Sequence, residues 1–120
     1  MDDTMYPEAT VELYRQREAL APAAAAAFKA FGEAVFADGA LPSKTKELIA
    51  VVLGVAAHCD PCIGFHVKAY VRHGGTKREL AEALGMAVYM GGGPSLMYAA
   101  NALAAMDEFV AAAVARAAPA

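Results

Sequence analysis

Apolar positions along the chain recur every three or four residues, the period of an amphipathic helix, and no alternating run of strand length appears. Prolines, glycines and capping residues divide the pattern into six short segments. These predicted helices begin near Pro7, Pro22, Ser43, Asp60, Thr76 and Pro94. They end near Leu20, Phe36, Ala57, Gly74, Met90 and Arg116. The predicted fold class is therefore all-α, and the length favours one domain spanning residues 1–120.

Three of these segments carry more specific expectations. The run Leu48–Ala57 is apolar nearly all round, so the third helix is expected to be central and buried. Asp60 is predicted to be the N-cap of the fourth helix and Pro61 its first residue, which places Cys62 at the second helical position. The apolar stripe of the second helix is expected to consist of Phe28, Phe31, Val35 and Phe36.

Composition adds an expectation about assembly. Hydrophobic residues make up 58% of the chain, against about 45–50% in average soluble domains. A small domain this apolar is expected to cover part of its surface with copies of itself, as a homo-oligomer.

Charge and segment length exclude several classes of function. The net charge is −3 and no basic stripe is present, so no nucleic-acid partner is expected. The acidic N-terminus does not resemble a signal peptide, and the longest apolar run is too short to cross a membrane. The predicted location is cytoplasmic.

The two cysteines of the chain form one C-x-x-C unit, Cys59 and Cys62. A cross-link between them would constrain little of the unfolded chain, so the pair indicates a redox-active or metal-binding site. At a helix start, Cys62 lies beside free amide groups that favour a thiolate, whereas Cys59 is expected outside the helix, without that influence. His66, one turn later, can reach the sulfur of Cys62. Glu47 needs a partner if buried, and His66 is the expected one, directly or through water.

Other residues near this segment have simpler interpretations. His58 and His73 lie near helix ends, where histidines are commonly solvated or capping. Tyr70 is expected to be a packing residue.

Three functions other than thiol-redox catalysis by Cys62 are also compatible with these residues. The first is an enzyme of another type, a disulfide reductase or a lactone-type isomerase or decarboxylase that uses His66 as base. The second is a zinc-binding module, in which Glu47 or His58 would complete a set formed by Cys59, Cys62 and His66. The third is a non-catalytic interaction protein, which would explain the apolar surface but not the spacing of these residues.

The spacing Glu-x11-Cys-x2-Cys-x3-His, met by Glu47, Cys59, Cys62 and His66, resembles the alkylhydroperoxidase D-like family, also called the carboxymuconolactone decarboxylase-like family. The resemblance covers about residues 43–95, including Gly74 after the histidine helix. It implies an all-α fold assembled as a homotrimer or homohexamer.

The resemblance also implies a mechanism. Cys62 would attack a hydroperoxide, Cys59 would condense with the resulting sulfenic acid to form a disulfide, and His66 and Glu47 would move the protons. No flavin, haem or metal cofactor is implied. The expected substrate is a small hydroperoxide or disulfide, and the expected reductant is a dithiol protein, lipoyl-bearing or thioredoxin-like. Pro61 stands where the founding peroxidase type carries a relay histidine, which bears on the efficiency of peroxidase turnover.

Overall fold

The computed structural model describes the backbone of residues 8–119 and the side chains of residues 11–119, and in this range it contains six helices and no strand. The all-α class and the number of helices are thus confirmed. Pro7, the predicted start of the first helix, lies outside the described residues. The helices are α1 (Glu8–Leu20), α2 (Pro22–Phe36), α3 (Ser43–Ala56), α4 (Asp60–Arg72), α5 (Lys77–Gly91) and α6 (Gly93–Ala117).

Contacts divide the chain into two compact units, one ending at Ser43 and the other beginning at Lys44. In the first unit α1 packs against α2, and Val11 and Ala25 are buried. The predicted stripe of α2 is present but largely uncovered, since Phe28 and Phe31 are each 64% exposed. The single domain over residues 1–120 stays a prediction.

No single helix among the described residues is long and apolar enough to cross a membrane. Residues of α1 and α2 reach that length only as a pair, and the pair is bent by 113°.

In the second unit, α6 is the helix on which both α4 and α5 pack. Small residues of α6 make this close packing possible, because Ala102 and Ala105 are fully buried and leave room for larger side chains opposite them. The fully buried large side chains of α4 and α5 are Ile63, Val67, Tyr70 and Leu80. This core carries the segment that bears the cysteines.

The expectation that α3 is buried all round is wrong for one of its faces. Val51, Gly54 and Val55 are buried, whereas Leu53 is 62% exposed. Apolar character on every side of a helix predicts burial only if neighbours are available on every side. Among the described residues, α3 is covered along one face.

Helix starts and stops follow the sequence signals closely. The predicted capping box of α5 is confirmed, because the Thr76 hydroxyl accepts from the Glu79 N–H and the Glu79 carboxylate accepts from the Thr76 N–H. Gly74 adopts a φ of +82° just after α4, a conformation that favours glycine. Ser43 is the first residue of α3 rather than its cap: its N–H donates to the Asp38 carboxylate at 2.6 Å.

Candidate active site

The cysteine pair lies at the start of α4 and forms a disulfide, with 5.2 Å between the two Cα atoms. Cys59 is the N-cap, in an extended conformation, and its sulfur accepts a hydrogen bond from the Cys62 N–H at 3.3 Å. The prediction that Asp60 caps this helix is therefore wrong by one residue. Cys62 is the third helical residue instead of the second, since Asp60 and Pro61 precede it within α4.

A tertiary contact explains why Cys59, and not Asp60, is the N-cap of α4. The Asp60 carboxylate accepts a hydrogen bond from Asn101 of α6 at 3.0 Å, and the sulfur of Cys59 takes the cap position. Both cysteines thus lie at the positive end of α4. The expectation that Cys59 escapes the influence of the helix is also wrong.

The residues around the first cysteine are anchored one after another. His58 has a φ of +56°, unusual for a residue with a side chain, and its ring stacks on Tyr98 of α6 at 4.7 Å between centroids. The Cys59 N–H donates to the Gly54 carbonyl at 3.0 Å. With Asn101 holding Asp60, three successive residues are fixed by α3 and α6. His58 is thus an exposed residue in a stack, consistent with a structural role.

Gly54 also makes room for the second cysteine. A Cβ at this position would lie 3.3 Å from the Cβ of Cys62 and 3.5 Å from the backbone nitrogen of Ile63. Gly54 is buried within α3, so the backbone of α3 closely approaches the first turn of α4. A single residue therefore supports Cys59 through its carbonyl and accommodates Cys62 through its lack of a side chain.

Glu47 and His66 are in direct contact, as the sequence led us to expect. The Nδ1 atom of His66 lies 3.0 Å from Oε2 of Glu47. Glu47 is only 6% exposed, although it carries a carboxylate. A carboxylate partner for Nδ1 favours the tautomer protonated at Nδ1, which makes Nε2 the basic nitrogen. The pair joins α3 to α4 one turn beyond the cysteines.

A second polar bridge joins the same helices to α5. The buried Tyr70 hydroxyl donates to the Thr76 carbonyl at 2.8 Å and accepts from the Thr76 N–H at 3.0 Å. Glu79 receives the ammonium group of Lys44, the nitrogen lying 3.1 Å from the nearer carboxylate oxygen. Burial, and then the charge of Glu79, raise the pKa of Tyr70. The hydrogen bond from the Thr76 side chain, and then that from Lys44, lower the pKa of Glu79.

The sequence pattern did not identify Gly54, Tyr98, Asn101 or Lys44. Asn101 had a usable signal, because it is a polar residue within an alanine-rich stretch of α6. Gly54 also interrupts an apolar helical run, which often marks a close backbone approach. The pairing of Tyr98 with His58 and of Lys44 with Glu79 depends on the tertiary fold and had no local signal.

The zinc-module alternative needs a converging set of donor side chains. Among the described residues, no group of three or more His, Cys, Asp or Glu side chains is arranged to hold a metal ion. The two cysteine sulfurs are bonded to each other.

The chain is similar to known proteins in both sequence and fold. Residues 22–105 match the model of the carboxymuconolactone decarboxylase family. An uncharacterised protein of Cupriavidus necator is 48% identical over 99 residues, 80% of this chain and 88% of that protein. Uncharacterised protein 4 of the cox locus of Paracoccus denitrificans is 44% identical over 82 residues, 68% of this chain and 74% of that protein.

Two solved structures share the fold. One is a carboxymuconolactone decarboxylase family protein of Legionella pneumophila in its apo form, with a TM-score of 0.78 and 52% identity, covering 85% of this chain and 90% of that one. The other is a protein of the same family from Thermotoga maritima, for which a part in an antioxidative response has been suggested. It has a TM-score of 0.73 and 31% identity, covering 84% of this chain and 86% of that one.

Proposed function

Because this chain belongs to the carboxymuconolactone decarboxylase family, we propose that it is a thiol-dependent peroxidase or disulfide oxidoreductase of the alkylhydroperoxidase type. The observation that carries the proposal is the association of two elements. A disulfide joins Cys59 and Cys62 at the start of α4, and His66, one turn along the same helix, contacts Glu47 of α3.

In the oxidative half of the reaction, the Cys62 thiolate attacks the distal oxygen of a hydroperoxide. The O–O bond breaks, Cys62 becomes a sulfenic acid, and the alkoxide leaves as an alcohol after taking a proton. The Cys59 thiolate then attacks the sulfenic sulfur, which forms the disulfide and expels hydroxide, and the hydroxide takes up a proton to leave as water. Cys59 is suited to this resolving step, because the Cys62 N–H stabilises negative charge on its sulfur.

The proposed role of His66 is to remove the proton from the Cys62 thiol and to return a proton to the leaving oxygen. Residues four apart on a helix lie on one face, so His66 and Cys62 share a side of α4, which supports this role. Glu47 would orient the imidazole through Nδ1 and stabilise the imidazolium form. Its burial strengthens this interaction, since little water competes for the carboxylate.

A single-turnover titration tests the proposal. The reduced protein is mixed with one equivalent of hydrogen peroxide or of an organic hydroperoxide, and thiol content and intact mass are followed. Both thiols should disappear together, with a loss of two hydrogens, and the Cys59→Ser variant should instead stop at a sulfenic acid. A dithiol should then restore the thiols. Lys77→Met is a suitable control, because Lys77 pairs with Asp107 in an exposed bridge of the same unit. Thiols that survive the peroxide unchanged would contradict the proposal.

The role of His66 has its own test, the alkylation of Cys62 by iodoacetamide as a function of pH. In His66→Ala the labelling midpoint should move upward, and in Glu47→Gln it should move less, because the carboxylate acts through the imidazole. An unchanged midpoint in His66→Ala, with a shift in Glu47→Gln, would mean that the order of the relay is wrong.

A second candidate function is a decarboxylase or isomerase acting on a lactone, with His66 as general base. The observation that favours it is the buried carboxylate behind the imidazole, an arrangement equally suited to abstracting a proton from carbon. The two candidates differ in their dependence on sulfur. Activity that survives Cys62→Ser but not His66→Ala would favour the second candidate over the first.

We further propose a homo-oligomer, trimeric or hexameric, and a lipoyl-bearing or thioredoxin-like protein as reductant. Large apolar side chains are exposed on either side of the break between α5 and α6, including Tyr89 at 85%, Met90 at 78% and Met97 at 68%. Light scattering at micromolar concentration should show an assembly that Met90→Lys weakens. A wild-type monomer would contradict this part of the proposal.

A further inference from the structure

The two sulfurs of the disulfide have different surroundings. Cys59, the N-cap residue, is partly buried, and its sulfur accepts the Cys62 N–H at 3.3 Å. Cys62 is exposed in the first turn of α4. Thiol–disulfide exchange is governed by which sulfur the attacking thiolate can reach and by how well the other sulfur carries charge as it leaves. Both criteria favour attack at the sulfur of Cys62, with the sulfur of Cys59 as the leaving group.

The anchoring of the first cysteine strengthens the assignment. Its N–H is held by the Gly54 carbonyl at 3.0 Å, and the residue on either side is held by α6, His58 by stacking on Tyr98 and Asp60 by Asn101. When the disulfide opens, this backbone keeps Cys59 at the cap position. The departing sulfur therefore remains within reach of the amide group that stabilises its charge.

We propose that the reductant attacks the sulfur of Cys62, so that Cys62 carries the mixed disulfide and Cys59 leaves as the thiolate. This inference rests on the redox function proposed above and names the sulfur at which the dithiol partner engages. In the first step, a reductant thiolate forms a bond to the Cys62 sulfur, the Cys59–Cys62 bond breaks, and the electron pair passes to Cys59. In the second step, the other thiolate of the reductant attacks the reductant sulfur that is bonded to Cys62. This closes the disulfide of the reductant and releases the Cys62 thiolate. The reductant is oxidised to a disulfide, the protein gains two electrons, and both protein thiolates take up protons according to the pH.

The same cysteine then has one role in both halves of the cycle. Cys59 attacks as a thiolate when the disulfide forms and departs as a thiolate when the disulfide opens. Cys62 meets both outside molecules, the peroxide and the reductant. Cys62, the exposed residue, thus reacts with both outside molecules. Cys59, the capping residue, is the thiolate that attacks in one half of the cycle and leaves in the other.

The wild-type oxidised protein can test this assignment directly. Reduced glutathione serves as the probe, because it has a single thiol and can complete the second step only by reaction with a second glutathione molecule, which leaves time to trap the mixed disulfide. N-ethylmaleimide is added after a series of short delays to block the released thiol. Tandem mass spectrometry then locates each adduct, since fragmentation on the N-terminal side of Pro61 separates the two cysteines. Cys59→Ser and Cys62→Ser proteins, each carrying glutathione on the remaining thiol, provide the reference spectra.

Glutathione is expected on Cys62 and N-ethylmaleimide on Cys59, in about tenfold excess over the reverse arrangement when extrapolated to zero delay. Glutathione mainly on Cys59, or evenly on both, would overturn the assignment while leaving the redox function intact. A disulfide that never forms under mild oxidant, or that neither glutathione nor a dithiol opens, would overturn the redox function and this assignment together.

Discussion

Replacing His66 with alanine should lower the free energy of unfolding by about 2–3.5 kcal/mol, and three contributions set this magnitude. Loss of the hydrogen bond to the ionised Glu47, at 3.0 Å, accounts for about 1.5–3 kcal/mol. The imidazole, only 22% exposed, also loses packing contacts worth about 1 kcal/mol. Alanine is the better helix former and returns about 0.5 kcal/mol. The first contribution dominates because Glu47 is 6% exposed, so that little water can replace its partner.

The neighbouring substitution, Glu47→Gln, should be milder. The amide oxygen of glutamine can still accept from Nδ1, and no charge is buried, so a loss of about 1 kcal/mol is expected. In that background His66→Ala should also be less damaging, because no carboxylate is left without its donor. The double-mutant cycle should therefore show a coupling free energy of about 1–2 kcal/mol.

Urea unfolding followed by circular dichroism provides the assay, with all four proteins at one concentration and pH. An excess of reductant removes the disulfide from the comparison. The reasoning would be refuted if the effects of the two substitutions added to within about 0.5 kcal/mol. In that case the contact between Glu47 and His66 would contribute nothing specific to the stability of the fold.

Three further outcomes are expected. Gly54→Ala should slow disulfide formation under a fixed oxidant while changing stability by less than about 1 kcal/mol, because crowding of the second cysteine offsets the gain in helix propensity. Gly85→Ala, where an added Cβ meets nothing within 4 Å, is the matched control, and equal oxidation rates in the two variants would contradict the argument. Tyr70→Phe should cost about 1–2 kcal/mol at neutral pH through the lost bonds to Thr76. The folded pKa of Tyr70 is raised above 10.0, so its contribution is complete below that pH and is lost as the pH rises through the folded value. Urea midpoints between about pH 9 and 11 should therefore fall more steeply for wild type than for Tyr70→Phe, and parallel curves would count against this. The pKa of Glu79 in the folded protein is lowered. Its contribution to stability is therefore present above pH 4.5 and is lost as the pH falls through the folded pKa. In Glu79→Gln the urea midpoint should therefore fall less steeply with decreasing pH than in wild type. An unchanged slope would mean that other carboxylates dominate the loss of stability in acid.

The parts of the site that could be predicted from sequence are those within one helical turn of each other. Cys62 and His66 lie four apart, so helical geometry alone puts them on one face. The contact between Glu47 and His66 spans two helices, and it was predictable for a different reason. A carboxylate in a largely apolar helix requires a partner, and few candidates were available.

The misplaced cap shows where local patterns are insufficient. Aspartate is a much more common N-cap than cysteine, so the sequence favoured Asp60. Its carboxylate instead pairs with Asn101, which is distant in sequence but adjacent in the fold. Only the packing of α4 on α6 brings these two residues together. The exposed face of α3 has a similar explanation, because an apolar pattern records a tendency to be buried but not the number of neighbours present.

The close approach at Gly54 has a consequence for how this chain can diverge under mutation. Most core positions tolerate a change of side chain as long as stability is preserved, so selection acts on them through the fold. At Gly54 the first atom of any side chain meets Cys62, while the carbonyl of the same residue holds Cys59. Substitution there disturbs the cysteine pair before it threatens the helix. Related chains that replace this glycine are therefore expected to have altered or lost the thiol chemistry proposed here while keeping the fold.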